Sequence, residues 1–151
     1  MRSLVLLASA ASLLATAAAV PDGNFSLTCT GVDLFHNFFL AATCYRPVED
    51  GSKAQSQNEL DLTMCIGLDQ VSGHMQWEVY GKFSNYCTNC TVLAPMNQTQ
   101  QHLLACFCSP LVGSHVPVKS TINLDEGITN DLGTLKCAGG MASLPHGGRD
   151  H

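Results

Sequence analysis

Residues 120–136 read STINLDEGITNDLGTLK, and this stretch has an earlier counterpart in the same chain. Within it, Ile122-Asn123-Leu124 repeats the pattern of Leu60-Asp61-Leu62 after an interval of 62 residues. Four blocks recur in the same order. A single match could arise by chance, but four in order indicate that the chain is a tandem duplication. The matched blocks are 25–29 with 83–87, 40–44 with 104–108, 60–62 with 122–124, and 73–77 with 133–137.

The local patterns inside the repeats favour short β-strands. Side chains alternate with a period of two from Phe38 to Cys44 and from Met75 to Val79, as in half-buried strands. The segments 71–73 and 131–133 read as tight turns, 62–66 and 124–128 as single helical turns, and 49–57 as a polar surface loop. The sequence therefore predicts an all-β fold.

The first 19 residues have the features of a secretory signal peptide. Arg2 supplies the positive start, residues 4–14 form an apolar run, and Ala17-Ala18-Ala19 is a small-residue cleavage site. No later run reaches the ~20 apolar residues that span a bilayer. We therefore predict an extracellular protein, with association to a cell wall left open. The predicted parts are a signal peptide (1–19), a domain (20–137) made of repeats 22–80 and 81–137, and a flexible tail (138–151).

Charge and motifs exclude two classes of function. Twelve acidic against seven basic residues give a net charge of −5, and no cluster of basic residues offers a surface for nucleic acid. The histidines at 36, 74, 102 and 115 belong to no nucleophile or metal-ligand pattern. We therefore predict that the protein is not an enzyme and uses no cofactor or metal.

Eight cysteines predict a disulfide framework. The Cys-x-x-Cys and Cys-x-Cys motifs of the second repeat also fit a zinc site by spacing, but in an oxidising compartment an even number of cysteines favours disulfides. Matched repeats are expected to pair alike. The predicted pairs are Cys29 with Cys44, Cys87 with Cys108, and Cys90 with Cys106 inside the second pair. Cys65 and Cys137 remain by elimination, and their pairing stays open.

Three sequons follow the signal peptide and are candidate sites of N-glycosylation in a secreted protein. Their asparagines are Asn24, Asn89 and Asn97.

The stretch 120–136 closely resembles the C-terminal repeat of cyanovirin-N, and Gly23–Cys29 resembles the start of that family's domain. The resemblance covers residues 22–137, includes the paired cysteines, and is strongest with secreted fungal members. It implies an all-β, pseudo-symmetric fold in which two repeats exchange strands to build both halves. It also implies a lectin that binds high-mannose glycans, on oligosaccharides or glycoproteins, at two opposite ends.

Carried over onto this sequence, the first sugar site comprises Gly23, Asn24, Thr28, Tyr45, Arg46, Asn130 and Asp131. Amides, hydroxyls and a guanidinium suit this role because they hydrogen-bond sugar hydroxyls. Asn24 is also a sequon asparagine, so a glycan attached there would crowd the site.

The second site matches the family less well, and comprises Asp69, Gln70, Ser72, Asn85 and Tyr86. Its loop is two residues longer, and Pro110 and Leu111 stand where the family has polar residues. The family's hinge proline is absent from residues 78–82, so we expect a monomer and leave a domain-swapped dimer open. The alternative function is a secreted, disulfide-rich interaction protein that keeps the fold but has lost sugar binding.

Overall fold

A computed structural model describes residues 23–93, 95 and 101–144 of the chain. The predicted signal peptide, Asn97 and residues 145–151 of the predicted tail lie outside this part. Within it the chain forms eleven β-strands and four 3₁₀ turns, and no helix there has the length and apolar character needed to cross a membrane. The strands are β1 Cys29–Phe35, β2 Phe39–Pro47, β3 Lys53–Asp61, β4 Ile66–Leu68, β5 Met75–Trp77, β6 Cys87–Leu93, β7 Leu103–Cys108, β8 Val118–Asn123, β9 Thr129–Asp131, β10 Thr134–Cys137 and β11 Gly140–Met141. The 3₁₀ turns are Phe25–Leu27, Leu62–Met64, Phe83–Asn85 and Leu124–Glu126, so the two predicted helical turns are confirmed.

Each repeat contributes one antiparallel sheet and one hairpin. The first repeat has a sheet in the order β1-β2-β3 and a β4–β5 hairpin. The second has a β6-β7-β8 sheet and a hairpin of β9 and β10, with β11 on the other side of β10. Both sheets have a register irregularity at the same place, between Thr30 and Asp33 in one and between Thr88 and Thr91 in the other. The predicted all-β tandem repeat is confirmed.

The core follows the period-two pattern of the central strands. On β2, Leu40, Ala42 and Cys44 are buried, while the alternate side chains are only half-buried. β7 buries Leu104 and Cys106 at the matching positions. Because successive side chains of a strand point to opposite faces, each sheet covers the core with one face and presents the other outward.

The hairpin of each repeat packs against the sheet of the other repeat, since β10 contacts β3 and β5 contacts β8. The buried Asn58 of β3 donates from Nδ2 to the Gly133 carbonyl at 2.8 Å, and its Oδ1 accepts from the Leu135 N–H at 2.9 Å. At the matching place, the Ser120 hydroxyl accepts from the Met75 N–H at 2.8 Å. These contacts agree with the exchange of segments that the family resemblance implies.

Asp125 ties the start of the domain to its end. This carboxylate is 5% exposed and accepts from the Ser26 N–H at 3.0 Å and the His102 N–H at 2.9 Å. Its carbonyl accepts from the Asn24 N–H. Gly23 passes so close that a Cβ there would lie 2.0 Å from the Asp125 carbonyl oxygen, and its φ is +63°. Only glycine fits this position without displacing the turn.

All eight cysteines lie in the described part and are disulfide-bonded, which leaves no thiolate for the zinc alternative. Cys29 faces Cys44 directly across the β1–β2 pair with a Cα–Cα distance of 4.0 Å, and the matching pair in the second repeat has the same distance. The complete set is Cys29–Cys44, Cys65–Cys137, Cys87–Cys108 and Cys90–Cys106. The bond between Cys65 and Cys137, which the sequence leaves open, joins the first repeat to the end of the second.

Two sequence expectations need correction. Residues 49–57 were expected to form a surface loop, but Lys53–Asp61 is a nine-residue strand that pairs with β2 along its whole length. The predicted flexible tail begins too early, because residues 138–144 are held by the backbone. β11 pairs with β10, and Ser143 exchanges two backbone hydrogen bonds with Glu59 at 3.0 and 3.1 Å.

Candidate functional site

The first candidate site forms where three elements meet at one end of the molecule. The start of β1 and the end of β2 are joined there by a hydrogen bond from the Tyr45 N–H to the Thr28 carbonyl at 2.9 Å. From the β9–β10 hairpin, Asn130 donates from Nδ2 to the Thr28 hydroxyl at 2.8 Å and to the Tyr45 carbonyl at 2.9 Å. Its Oδ1 accepts from the Gly133 N–H at 2.8 Å. The amide of Asn130 therefore fixes the three elements relative to one another.

A cavity of about 350 Å³ opens beside this junction. The predicted residues Thr28, Tyr45 and Arg46 line it. Arg46 is exposed and also packs its side chain near Gly133, which places a guanidinium with five donors at the mouth. A cavity of this size with hydroxyl and guanidinium groups on strand ends suits a small neutral ligand rich in hydroxyls.

Three of the predicted residues lie elsewhere. Gly23 and Asn24 contact Asp125 through the backbone, and Asp131 forms an ion pair with Lys136 on the neighbouring strand of its hairpin. None of the three belongs to the described lining of the cavity, and neither does Asn130, although it bonds Thr28 and Tyr45, which do. Asn24 is exposed in the turn that leads to Thr28, with a φ of +59°, so a glycan on it would start from the same end of the molecule.

At the opposite end, the structure gathers the second set of predicted residues around one loop. The Ser109 N–H donates to the Tyr86 carbonyl at 3.0 Å, which matches the contact between Tyr45 and Thr28. The carbonyl of Gln70 accepts from the N–H groups of Leu111 and Val112 at 2.9 and 3.0 Å. The loop after β7 therefore lies over the loop between β4 and β5, and Gln70 is held inside this contact.

Asp69 is engaged by its own loop. Its Oδ1 accepts from the Ser72 N–H at 2.7 Å and the Val71 N–H at 3.1 Å. These bonds, foremost the one from the Ser72 backbone, lower the pKa of the Asp69 carboxyl below its usual value. Asn85 ends the 3₁₀ turn before Tyr86 and is exposed. The carboxylate of Asp69 thus closes its own turn.

The two ends differ in chemistry at matching positions. Leu135 pairs with Asn130 in one hairpin and Met75 pairs with Leu68 in the other, so a buried leucine takes the place of the asparagine amide. The glycine of each hairpin turn shows the same contrast. A Cβ at Gly133 would meet Arg46 and Ser56, whereas a Cβ at Gly73 would meet Pro110 and Val118.

Hairpin length also separates the two ends. Four residues stand between the paired Asn130 and Leu135, and six stand between Leu68 and Met75. The two-residue lengthening seen in the sequence is therefore a longer turn. The second set of predicted residues is brought together, but around an exposed loop with the apolar Pro110 and Val118 beside its glycine.

Comparisons with known proteins assign the chain to a family. The model of the CVNH domain matches residues 25–136, which is more than half of the chain. The chain belongs to the CVNH family. This is a carbohydrate-binding lectin family. No curated protein sequence matches the chain.

Three solved structures of CVNH proteins are similar to this chain. The NMR structure of the CVNH protein of Gibberella zeae shares 30% identity at a TM-score of 0.61, over 76% of this chain and 97% of that one. A designed cyanovirin-N homolog lectin shares 24% identity at a TM-score of 0.60, over 75% and 97%. The CVNH protein of Neurospora crassa shares 21% identity at a TM-score of 0.56, over 76% and 97%.

Part of the lining of the end cavity, the cavity beside the Asn130 junction, was not predicted from the sequence. The additional residues are Leu27, Pro47, Gly51, Ser52 and Lys53. Gly51 and Ser52 belong to the β2–β3 connection and Pro47 and Lys53 flank it, and the Asp-Gly pair of this connection is a hairpin signal that was not recognised in the sequence. Asp50 shapes this turn, because its Oδ1 accepts from the Ser52 N–H at 2.8 Å. Hydrogen bonds from Ser52, first from its side chain and then from its backbone, lower the pKa of the Asp50 carboxyl.

Proposed function

We propose that this protein is a secreted lectin that binds high-mannose-type glycans through the end cavity, which Thr28, Tyr45 and Arg46 line and Asn130 supports from behind. It binds without catalysis, as a monomer. The observation that carries the proposal is the junction at Asn130, where one amide makes three hydrogen bonds of 2.8–2.9 Å, two of them to Thr28 and Tyr45 and one within its own hairpin. A fixed wall with hydroxyl and guanidinium groups toward the cavity lowers the entropic cost of ordering a site around a sugar.

Secretion is supported by the leader sequence and by the disulfides. Four disulfide bonds within the domain suit an oxidising compartment. The similarity to proteins of two fungi supports a fungal origin. The leader sequence and the disulfides are independent of the sugar site, so secretion needs a test of its own. That test is the recovery of the mature chain from culture medium.

Only one of the two ends of the proposed lectin binds sugar. Leu68 and Pro110 replace the asparagine and arginine of the first end, and the loop after β7 is bonded over Gln70. The second end therefore lacks both the positioning amide and the exposed guanidinium. Because cross-linking needs two engaged sites, this lectin binds glycoproteins without agglutinating cells that display them.

The test is glycan-array screening of the mature protein, followed by calorimetry with a high-mannose glycan. We expect Arg46→Ala to weaken binding about tenfold, since a charged hydrogen bond contributes about 1.5–3 kcal/mol. Lys119→Ala is the control, because it removes one exposed charge from the second sheet. Equal affinities of the two variants would contradict the site, and silence of the unaltered protein across all glycans would support the alternative of an interaction protein that has lost sugar binding.

The sequon at Asn24 adds a second arm to this test. An attached glycan would stand beside Thr28, so enzymatic deglycosylation and the Asn24→Gln variant should both increase affinity for free glycan. Asn89→Gln is the matched control, since Asn89 is exposed on the second sheet, away from the cavity. A gain that appears with Asn89→Gln and not with Asn24→Gln would contradict the placement of the sugar site.

A further inference from the structure

A groove on the outer face of the first sheet belongs to neither end of the molecule. It has a volume of about 420 Å³ and shares no lining residue with the end cavity. Ala41 and Thr43 form part of its lining in the middle of β2, with Phe35 contributed by β1 and Gln57 and Glu59 by β3. Nothing in the family assignment gives this groove a role.

The groove results from a small side chain between long ones. Ala41 pairs with Asp33 on one side and with Glu59 on the other, so a methyl group lies in the row between two carboxylates. In the next row Thr43 pairs with Gln57. The ring of Phe35 is 47% exposed at the end of β1. The sheet is therefore indented at Ala41 and bordered by an aromatic ring and polar groups.

Two polar side chains of the groove, those of Glu59 and Gln57, are not used by the fold, whereas its buried Asn58 bonds the hairpin of the other repeat. No described residue forms a hydrogen bond or an ion pair with the carboxylate of Glu59 or with the side-chain amide of Gln57. A carboxylate accepts, an amide both donates and accepts, and the hydroxyl of Thr43 does both. These groups match the hydroxyls of a sugar, while the apolar C–H face of a pyranose ring packs on an exposed aromatic ring.

The second sheet serves as an internal comparison. There Ala105 occupies the place of Ala41 but pairs with Thr91 and Thr121, so the row has no carboxylate. Ala105 is only 6% exposed, whereas Ala41 is half-buried. Phe35 corresponds to the aliphatic Leu93, which closes the β6–β7 pair as Phe35 closes β1–β2. The second sheet also exposes an aromatic ring, Phe107, at the place of Thr43, so the first sheet differs from it by the half-buried Ala41 and the carboxylate of Glu59 beside it.

The groove and the end cavity are separate but follow one another along β2, since Thr43 lines the first and Tyr45 the second. Tyr45 lies two residues after Thr43, on the same half-buried face of the strand, and it also lines the end cavity. Gln55 on β3 donates from Nε2 to the Tyr45 hydroxyl at 3.3 Å, so this pair lies between the groove and the end cavity. Tyr45 is four positions after Ala41, a span of about 13 Å at the rise of a strand. That span fits a short oligosaccharide.

We propose that the groove is an additional sugar subsite, which binds a further hexose of a glycan whose terminal residue occupies the end cavity. This inference rests on the proposed lectin function. Phe35 packs against the pyranose ring, and Glu59, Gln57 and Thr43 hydrogen-bond its hydroxyls. The protein then distinguishes glycan branches by length, because only a branch that reaches from the end cavity past Tyr45 contacts the groove.

The experiment compares α-linked mannobiose with mannotetraose by calorimetry. We expect Phe35→Ala and Glu59→Gln to weaken mannotetraose binding about fivefold each and to leave mannobiose binding unchanged. Leu93→Ala and Thr121→Ala are the matched controls in the second sheet and should change neither affinity. Arg46→Ala should weaken both ligands, because it belongs to the end cavity.

Amide chemical shifts of the unaltered protein make the test independent of variant folding. Mannotetraose should shift the amides of residues 41, 43, 57 and 59, and mannobiose should shift mainly those around Tyr45. If both ligands bind and shift only the end cavity, and Phe35→Ala behaves like Leu93→Ala, the groove proposal is overturned while the lectin function stands. If the unaltered protein binds no glycan, the lectin function itself fails and the subsite falls with it.

Discussion

Asn58 offers a direct test of how the two repeats are held together. Its side chain is buried, at 5% exposure, and its two bonds to the hairpin of the other repeat measure 2.8 and 2.9 Å. In Asn58→Ala, the Leu135 N–H and the Gly133 carbonyl lose their partners in a buried place. An orphaned buried group costs about 1–3 kcal/mol, so the two together should lower the free energy of unfolding by about 2–6 kcal/mol.

The matched control is Ser120→Ala in the second sheet. Ser120 is 1% exposed and accepts one bond from the hairpin of the first repeat, from the Met75 N–H at 2.8 Å. One orphaned group predicts a loss of about 1–3 kcal/mol. The duplication thus supplies two equivalent positions that differ in the number of bonds, and the asparagine variant should lose more stability.

The assay is guanidinium unfolding with all four disulfides intact. At a slope of about 3 kcal/mol/M, a loss of 3 kcal/mol moves the midpoint down by about 1 M. Amide exchange should also become faster at Leu135 in the Asn58 variant. If Asn58→Ala shifts the midpoint no more than Ser120→Ala does, with unchanged slopes, the buried amide does not join the repeats as we argue.

Three further predictions concern single positions. Asp125→Ala removes the acceptor of two backbone N–H groups and should lower the free energy of unfolding by about 2–4 kcal/mol. The control is Glu126→Ala at the exposed neighbour. Equal losses in the two variants would show that Asp125 does not tie the start of the domain to its end. Leu132 has a φ of +50° before Gly133 in a two-residue hairpin turn, a conformation that strains a leucine backbone and suits asparagine. Leu132→Asn should therefore raise the free energy of unfolding by about 1 kcal/mol in the same assay. A lower free energy of unfolding would show that Leu132 is not strained. The lowered pKa of Asp69 means that its contribution to stability is present above the carboxyl's unfolded value of 3.8 and is lost as the pH falls through the lower folded pKa; an NMR titration midpoint at or above 3.8 would contradict this.

The sequence predicted those elements that leave a local pattern of side chains or a repeated block. Alternation from Phe38 to Cys44 placed β2, and the duplication identified Cys29–Cys44 and Cys87–Cys108 because each pair faces across one strand pair. β3 was missed for a physical reason. Its inward positions near the start are the small or polar Ala54, Ser56 and Asn58, because this part of the strand faces a hydrogen-bonded hairpin instead of an apolar core. No hydrophobic period of two results.

The end of the domain and the cavity lining were hidden for a related reason. β11 and Ser143 are held by backbone hydrogen bonds, which leave no side-chain pattern in the sequence. Ser52 and Lys53 reach the cavity only because the Asp50–Gly51 turn returns the chain beside Tyr45. Family resemblance supplied Thr28, Tyr45, Arg46 and Asn130, but it could not reveal a groove that depends on the residues of one sheet.

The contrast between the two ends shows where specificity resides in a duplicated fold. Both hairpins bond matching positions of the sheet they pack on, Leu135 to Asn58 and Met75 to Ser120. Both turns also keep a glycine with positive φ close to neighbouring side chains. Asn130 and Arg46 at one end become Leu68 and Pro110 at the other, so equivalent backbones carry different donors. A buried leucine stabilises the hairpin by packing, whereas an amide at that place holds three elements and leaves hydroxyls around a cavity. If the proposed lectin function holds, the number of sugar sites is therefore decided by a few side chains at matched positions, and not by the symmetry of the strands.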